Sequence, residues 1–153
     1  IVTVGNLAIN QIVAANWKDV KITALGPGTS PQILNLAGKN AEGLLLSTPF
    51  MITPEDKKAS KWADEFTKKA GFAPTVHPAC AYDCIYLLAA AIEKSGDKVT
   101  RDSVRDNLQN LENFVGITGP IKFNKDGDIT RKYLIAGIKD GKYVKETDYD
   151  FAK

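Results

Sequence analysis

The apolar positions of this chain change period several times. Ile1 to Val4 is a short β-branched run that Gly5-Asn6 closes, which predicts a strand. Ile9, Ile12, Val13 and Trp17 then recur at roughly helical spacing. Ile22 to Leu25 predicts a second strand. Gly26-Pro27-Gly28-Thr29-Ser30-Pro31 holds two glycines and two prolines and is expected to be a loop free of regular structure. Ile33, Leu34 and Leu36 predict a short helix stopped by Gly38. Leu44-Leu45-Leu46 has the length of a buried strand.

A helix start follows. Thr53 can cap, Pro54 suits the first helical position, and Glu55 and Asp56 suit the positive end of the helix dipole. Ala59, Trp62, Ala63, Phe66 and Ala70 form one apolar stripe that Gly71 ends. From Ala79 to Ile92 almost every residue except Asp83 is apolar, which predicts a central, buried helix. Ser95-Gly96 closes it. Thr100 is expected to cap one more helix with Val104, Leu108 and Leu111 inward. Ile121 and Phe123 then alternate with polar residues, Asn124 to Asp128 is turn chemistry, and Tyr133 to Ile138 is a strong strand run. Asp140-Gly141 favours a two-residue hairpin into Lys142-Tyr143-Val144. Strands alternating with helices imply an α/β fold, a mainly parallel sheet with helices on both faces. Ligands on such sheets bind in the crevice beyond the carboxyl ends of the strands, so the loops after Val4, Leu25 and Leu46 are the places to look.

Composition narrows the function classes. The 153 residues are 44% hydrophobic and 25% charged, with a formal net charge of +2 and no basic block, which argues against nucleic acid as a partner. No apolar run approaches the roughly 20 residues that span a bilayer. Ile1 opens inside an apolar run, which reads as a cut within a longer protein. Cys80 and Cys84 are one helical turn apart, too far for an easy disulfide, so cysteine usage leaves the compartment open.

Three segments carry a resemblance. Ala37-Gly38-Lys39-Asn40-Ala41-Glu42-Gly43 precedes a strand. Ala81 to Ile92 reads AYDCIYLLAAAI. Gly116-Ile117-Thr118-Gly119-Pro120-Ile121-Lys122-Phe123 is followed by Gly127-Asp128. In this order and spacing they resemble the type I periplasmic binding proteins, in particular the leucine/isoleucine/valine-binding family of ABC importers, from about Ile1 to Val144. The resemblance implies a bilobed protein of which this chain is the C-terminal part. Residues 1–48 and 118–153 would belong to the second lobe, and 49–117 to the first. Most of the first lobe, with the loop that grips a ligand carboxylate, would lie in a missing N-terminal half. A small-molecule ligand, a membrane permease as partner, and a periplasmic or extracellular location, with or without a lipid anchor, follow from the same resemblance.

By that resemblance the ligand-binding candidates are Thr3, Gly5 and Asn6 in one second-lobe loop and Gly28, Thr29 and Ser30 in another. Phe50 stands at a lobe crossing, as cleft wall or hinge packing. His77, the one histidine, stands where the family lines its cleft, or is simply an exposed loop residue. Amino-acid-binding members commonly carry an acidic residue in the loop of Gly28, which takes the ligand's ammonium; this loop has none. His77, Cys80 and Cys84 mimic part of a metal site, but zinc wants four ligands or three plus water and no second cluster exists, so no metal or cofactor is expected. Tyr82 and Tyr86 read as core packing with hydroxyls at a rim, and Asn124 to Asp128 as a turn and not a calcium loop. Neither a nucleophile elbow nor a phosphate-cradling loop appears, so a binding module is expected and not an enzyme. The alternative is a ligand-sensing domain of the same fold in a receptor or regulator.

Overall fold

The computed structural model describes residues 2–17 and 20–149. In chain order the elements are α1 (Val2–Ala14), β1 (Thr23–Leu25), α2 (Pro31–Ala37), β2 (Leu45–Thr48), α3 (Lys57–Ala70), α4 (Val76–Ser95), α5 (Arg101–Gln109), β3 (Phe114–Gly116), β4 (Gly119–Ile121), β5 (Tyr133–Lys139) and β6 (Lys142–Tyr149). The chain divides into two compact units, one running to Met51 and resuming at Tyr133–Tyr149, the other spanning Ile52–Lys132.

The first unit is a four-stranded sheet in the order β1-β2-β5-β6. β1 and β2 are parallel, whereas β5 pairs antiparallel with both β2 and β6. The sheet is therefore mixed and not mainly parallel. The cause is the C-terminal hairpin, since a two-residue connection can join only antiparallel strands. Its turn was legible: Asp140 and Gly141 both take positive φ, 51° and 68°, as a primed hairpin turn requires. Glu42 pins that turn by accepting the amides of Asp140 at 3.1 Å and Gly141 at 2.6 Å.

The run at the start of the chain forms the helix α1 and not a strand; Ile1 lies outside the described residues. β-branching is a weak preference that packing overrides. Gly5 does not break the helix; a Cβ there would sit 3.7 Å from Ile33 Cδ1, an ordinary contact. Both helices of this unit lie on the sheet face that carries Leu46, Ala136 and Ile138, where Ile9, Ile33 and Ala37 complete the core. Helices were expected on both faces. On the opposite face of this sheet Leu45 and Ser47 are only half-buried and Leu25 is exposed. That side offers no row of buried apolar residues for a helix to cover.

In the second unit α3 begins at Lys57, later than the Thr53-Pro54 signal suggested. The Asp56 carboxyl accepts the Ala59 amide at 2.9 Å and so caps the helix, while the Asp56 amide closes a turn onto the Thr53 carbonyl. Trp62 is buried and its ring meets those of Phe66 and Tyr82. Thr100 and Ser103 form a reciprocal capping box on α5. The Asn124 side chain accepts the amides of Asp126 and Asp128, which confirms a turn there.

α4 is not the uniformly buried helix that its apolarity predicts. Val76, Ala79, Asp83, Leu87 and Ala91 form one buried stripe, while Ile85 is 67% and Tyr86 52% exposed. A helix apolar all round is buried only on the sides where partners exist, and among the described residues of this unit α3, α5 and β3 leave its outer face open. Tyr82 and Tyr86 lie on that open face, their hydroxyls 3.3 Å apart.

The polar exception on α4 holds the unit together. Asp83 is 2% exposed. One carboxyl oxygen accepts the Ile117 amide at 2.6 Å; the other accepts the Thr118 amide at 2.9 Å and the Thr118 hydroxyl at 2.6 Å. Gly116 must be glycine, because a Cβ there would overlap the Asp83 carboxyl group. This clamp, together with the pairing of β3 with β4, explains why residues 118–132 gather with the middle of the chain and not with its flanks.

Two outcomes follow. Asp83→Asn turns one acceptor into a donor facing donors, which should cost about 2 kcal/mol and lower the melting temperature by roughly 4–8 °C in circular dichroism. A melt within about 1 °C of wild type would refute the clamp. Ala91 is fully buried, so Ala91→Asp should cost on the order of 3–5 kcal/mol, as a buried unpaired charge does; Ala90→Asp, one residue off the stripe, should cost clearly less.

Candidate functional site

The carboxyl ends of the two parallel strands adjoin. Gly26 follows β1 directly, and a Cβ there would lie 3.6 Å from Thr48 Oγ1 and 3.8 Å from Pro49 Cδ at the end of β2. The stretch expected to lack regular structure is a single 3-10 turn over Gly26–Thr29, with Ser30 as N-cap of α2. Pro27 suits such a turn because its fixed φ lies in the helical range. The Thr29 hydroxyl donates to the Gly26 carbonyl at 2.7 Å and tightens it. Ser30 Oγ accepts the Gln32 amide at 3.3 Å and keeps its own proton to donate.

The turn lies back over the sheet. A Cβ at Gly28 would overlap Leu46 Cδ2 and stand 3.4 Å from the Ala24 methyl, so a side chain here would have to displace the buried Leu46 or lift the turn. Tyr143 on β6 reaches the same turn. Its hydroxyl lies 2.6 Å from the Gly28 carbonyl and 2.8 Å from the Ser30 carbonyl, and donates across the pair. Burial pushes the Tyr143 phenol up to about 12, so it keeps its proton through the neutral range. Beyond β2, the buried Thr48 hydroxyl donates to the Phe50 carbonyl at 3.0 Å, and Phe50 is itself buried.

Gly28, Thr29, Ser30 and Phe50 thus gather around the carboxyl ends of β1 and β2. Gly5 and Gly28 share the wall of an apolar groove of about 570 Å³ with Ile9, Ile12, Ala24 and Leu25. Thr3 and Asn6 lie within α1 and not in a loop after a strand; Asn6 is 5% exposed. His77 belongs to the second unit, exposed in the first turn of α4 and not in a loop. Cys80 and Cys84 are free thiols, and burial raises that of Cys80 against the pull of the Arg131 guanidinium. Among the described residues no three His, Cys, Asp or Glu side chains gather as metal ligands.

Sequence reasoning missed Thr48 and Tyr143. Thr48 had a signal, the period-two continuation of Leu44 and Leu46 into a buried position. Tyr143 had none, since its partners are 115 and 113 residues away. The site offers hydroxyls and backbone groups at the carboxyl ends of β1 and β2, groups that can hold a polar ligand by hydrogen bonds, and the apolar groove meets it at Leu25 and Gly28.

The sequence model of the periplasmic binding protein family matches residues 3–142. A leucine-binding protein from Thermotoga maritima superposes with a TM-score of 0.83 at 24% identity, over 96% of this chain and 42% of its own. A branched-chain amino-acid transporter substrate-binding protein from Streptococcus pneumoniae, solved in complex with isoleucine, gives 0.75 at 23% identity, over 92% of this chain and 41% of its own. A solute-binding protein of an ABC transporter from Rhodopseudomonas palustris BisB5, in complex with 3,4-dihydroxybenzoic acid, gives 0.79 at 21% identity, over 95% and 42%. The chain therefore spans about two fifths of the length of these structures. With its mixed sheet, its helices and a family match over most of its length, the chain belongs to the periplasmic binding proteins and has their type I fold.

Proposed function

We propose that this chain is the C-terminal portion of an extracytoplasmic solute-binding component of an ABC importer. The whole protein captures a small polar ligand, an amino acid or related organic acid, between two lobes and presents it to a membrane permease. The observation that carries this reading is the meeting of Gly26–Ser30 with Thr48–Phe50 beyond two parallel strands, the position at which open α/β sheets take their ligands. Relatives solved with isoleucine and with 3,4-dihydroxybenzoic acid support the ligand class.

On this reading residues 1–48 and the C-terminal hairpin are second-lobe segments and residues 49–117 belong to the first lobe, with 118–132 gathered to it. The exposed apolar face of α4 favours the same view: Ile85, Tyr86 and Ile92 would pack on first-lobe elements supplied by an N-terminal half. That half would also bring the remaining ligand contacts, with Thr3, Asn6 and His77 kept as candidate contacts from this chain.

Calorimetry with L-isoleucine, L-leucine, benzoate and 3,4-dihydroxybenzoate decides it, run on this chain and on a longer protein that contains it. Losing the groups that pair with a charged ligand costs several kcal/mol, and about 1.4 kcal/mol is tenfold in affinity. The chain alone should therefore bind the best of these at least about 100-fold more weakly than the longer protein. Equal affinity would place the whole site inside this chain and overturn the two-lobed reading.

A further inference from the structure

Tyr143 stands out among the buried polar groups of the first unit. It sits on β6 opposite Ile138, packs against the core, and sends its hydroxyl to the turn that leaves β1. One phenolic proton serves two carbonyls. The Ser30 carbonyl also accepts the Ile33 amide at 2.9 Å, so the shared proton matters more to the Gly28 carbonyl, the closer of the two at 2.6 Å.

We propose that Tyr143 is a positioning residue for the ligand-binding turn, holding the carbonyls of Gly28 and Ser30 into the protein so that the turn meets a ligand with donors and not with carbonyl oxygens. The inference rests on the reading of Gly26–Ser30 as part of the ligand site. Three features carry it. The Gly26 carbonyl is taken by the Thr29 hydroxyl, so the carbonyls of Gly26, Gly28 and Ser30 all accept protein donors. Gly28 has no room to shift toward Leu46, so the turn can move only away from the sheet, and Tyr143 opposes that motion. Finally, the turn has no acidic residue; with these three carbonyls bonded within the protein and the Ser30 hydroxyl proton free to donate, it is matched to a ligand's acceptor atoms, such as a carboxylate or hydroxyl oxygen. Phenylalanine in place of Tyr143 would keep the ring packing and lose only the latch.

15N relaxation on wild type and Tyr143→Phe tests this without any ligand. Backbone mobility at residues 28–30 should rise clearly in the variant, while that of β2 and β5 and the denaturant midpoint stay close to wild type. No change at the turn, or an equal rise across the sheet, overturns the proposal, since the first means no latch and the second a merely structural role. In wild type itself, nuclear Overhauser contacts between the Tyr143 ring and the Gly28 α-protons should be present whether or not the variant folds, and their absence overturns it too. Titration of a longer protein that contains this chain, with and without Tyr143→Phe, with L-isoleucine and with benzoate, followed by amide chemical shifts, separates the two readings. Shifts at residues 28–30 that shrink in the variant support both. A turn that loosens in the variant but shows no ligand shifts in wild type keeps the latch and sinks the site.

Discussion

Gly28 rests against Leu46 with no space for a side chain between them, and the first unit is arranged around that approach. Leu46 is among the most completely buried side chains of the molecule, at the centre of the face that Ile9, Ile33, Ala37, Ala136 and Ile138 share. The turn leaving β1 lies on that core and does not project from it. Ser30 then starts α2 where Ile33 and Ala37 fall on the same face, and the Gly28 carbonyl comes within reach of Tyr143. Any residue larger than glycine at position 28 would have to displace Leu46 or lift the turn, so core packing and the geometry of the candidate site are one constraint.

How far the sequence could be read depends on how local each cause is. α2, the hairpin turn at Asp140-Gly141 and the capped start of α5 follow from residues within a few positions of one another, and each stands where the pattern puts it. α1 does not follow, because its start is β-branched and the core that Ile9 joins is built from elements distant in sequence. The direction of β5 against β2 does not follow either, since a strand's own residues do not say which neighbour it joins. For the site, the loop was legible from its glycines and prolines, whereas its shape rests on Leu46 and Tyr143, distant in sequence. Asp83 shows the same limit. A single acid in an apolar helix marks something special, but its partners at Ile117 and Thr118 are 34 and 35 residues on.

The two units use buried polarity differently. In the second, the Asp83 carboxyl takes up three donors from one short segment and fixes where that segment runs. In the first, the hydroxyls of Thr29, Thr48 and Tyr143 each donate to a backbone carbonyl at or next to the carboxyl ends of the parallel strands. Those carbonyls would otherwise face either a cost of desolvation or a free choice of partner. Satisfying them internally stiffens the edge of the crevice, and a stiff edge loses less conformational entropy when a ligand arrives.

The same arrangement bears on what the crevice can hold. An ammonium group placed at the Gly26–Ser30 turn would give up water for neutral oxygen lone pairs alone, with no carboxylate in the turn to offset the lost hydration. A charge moved out of water without a partner is among the costliest events in protein chemistry. An acceptor group meets the opposite situation, because the Ser30 hydroxyl keeps a free proton that it can donate. If the turn meets a ligand as proposed, its lack of charge would therefore discriminate by the sign of the group brought to it.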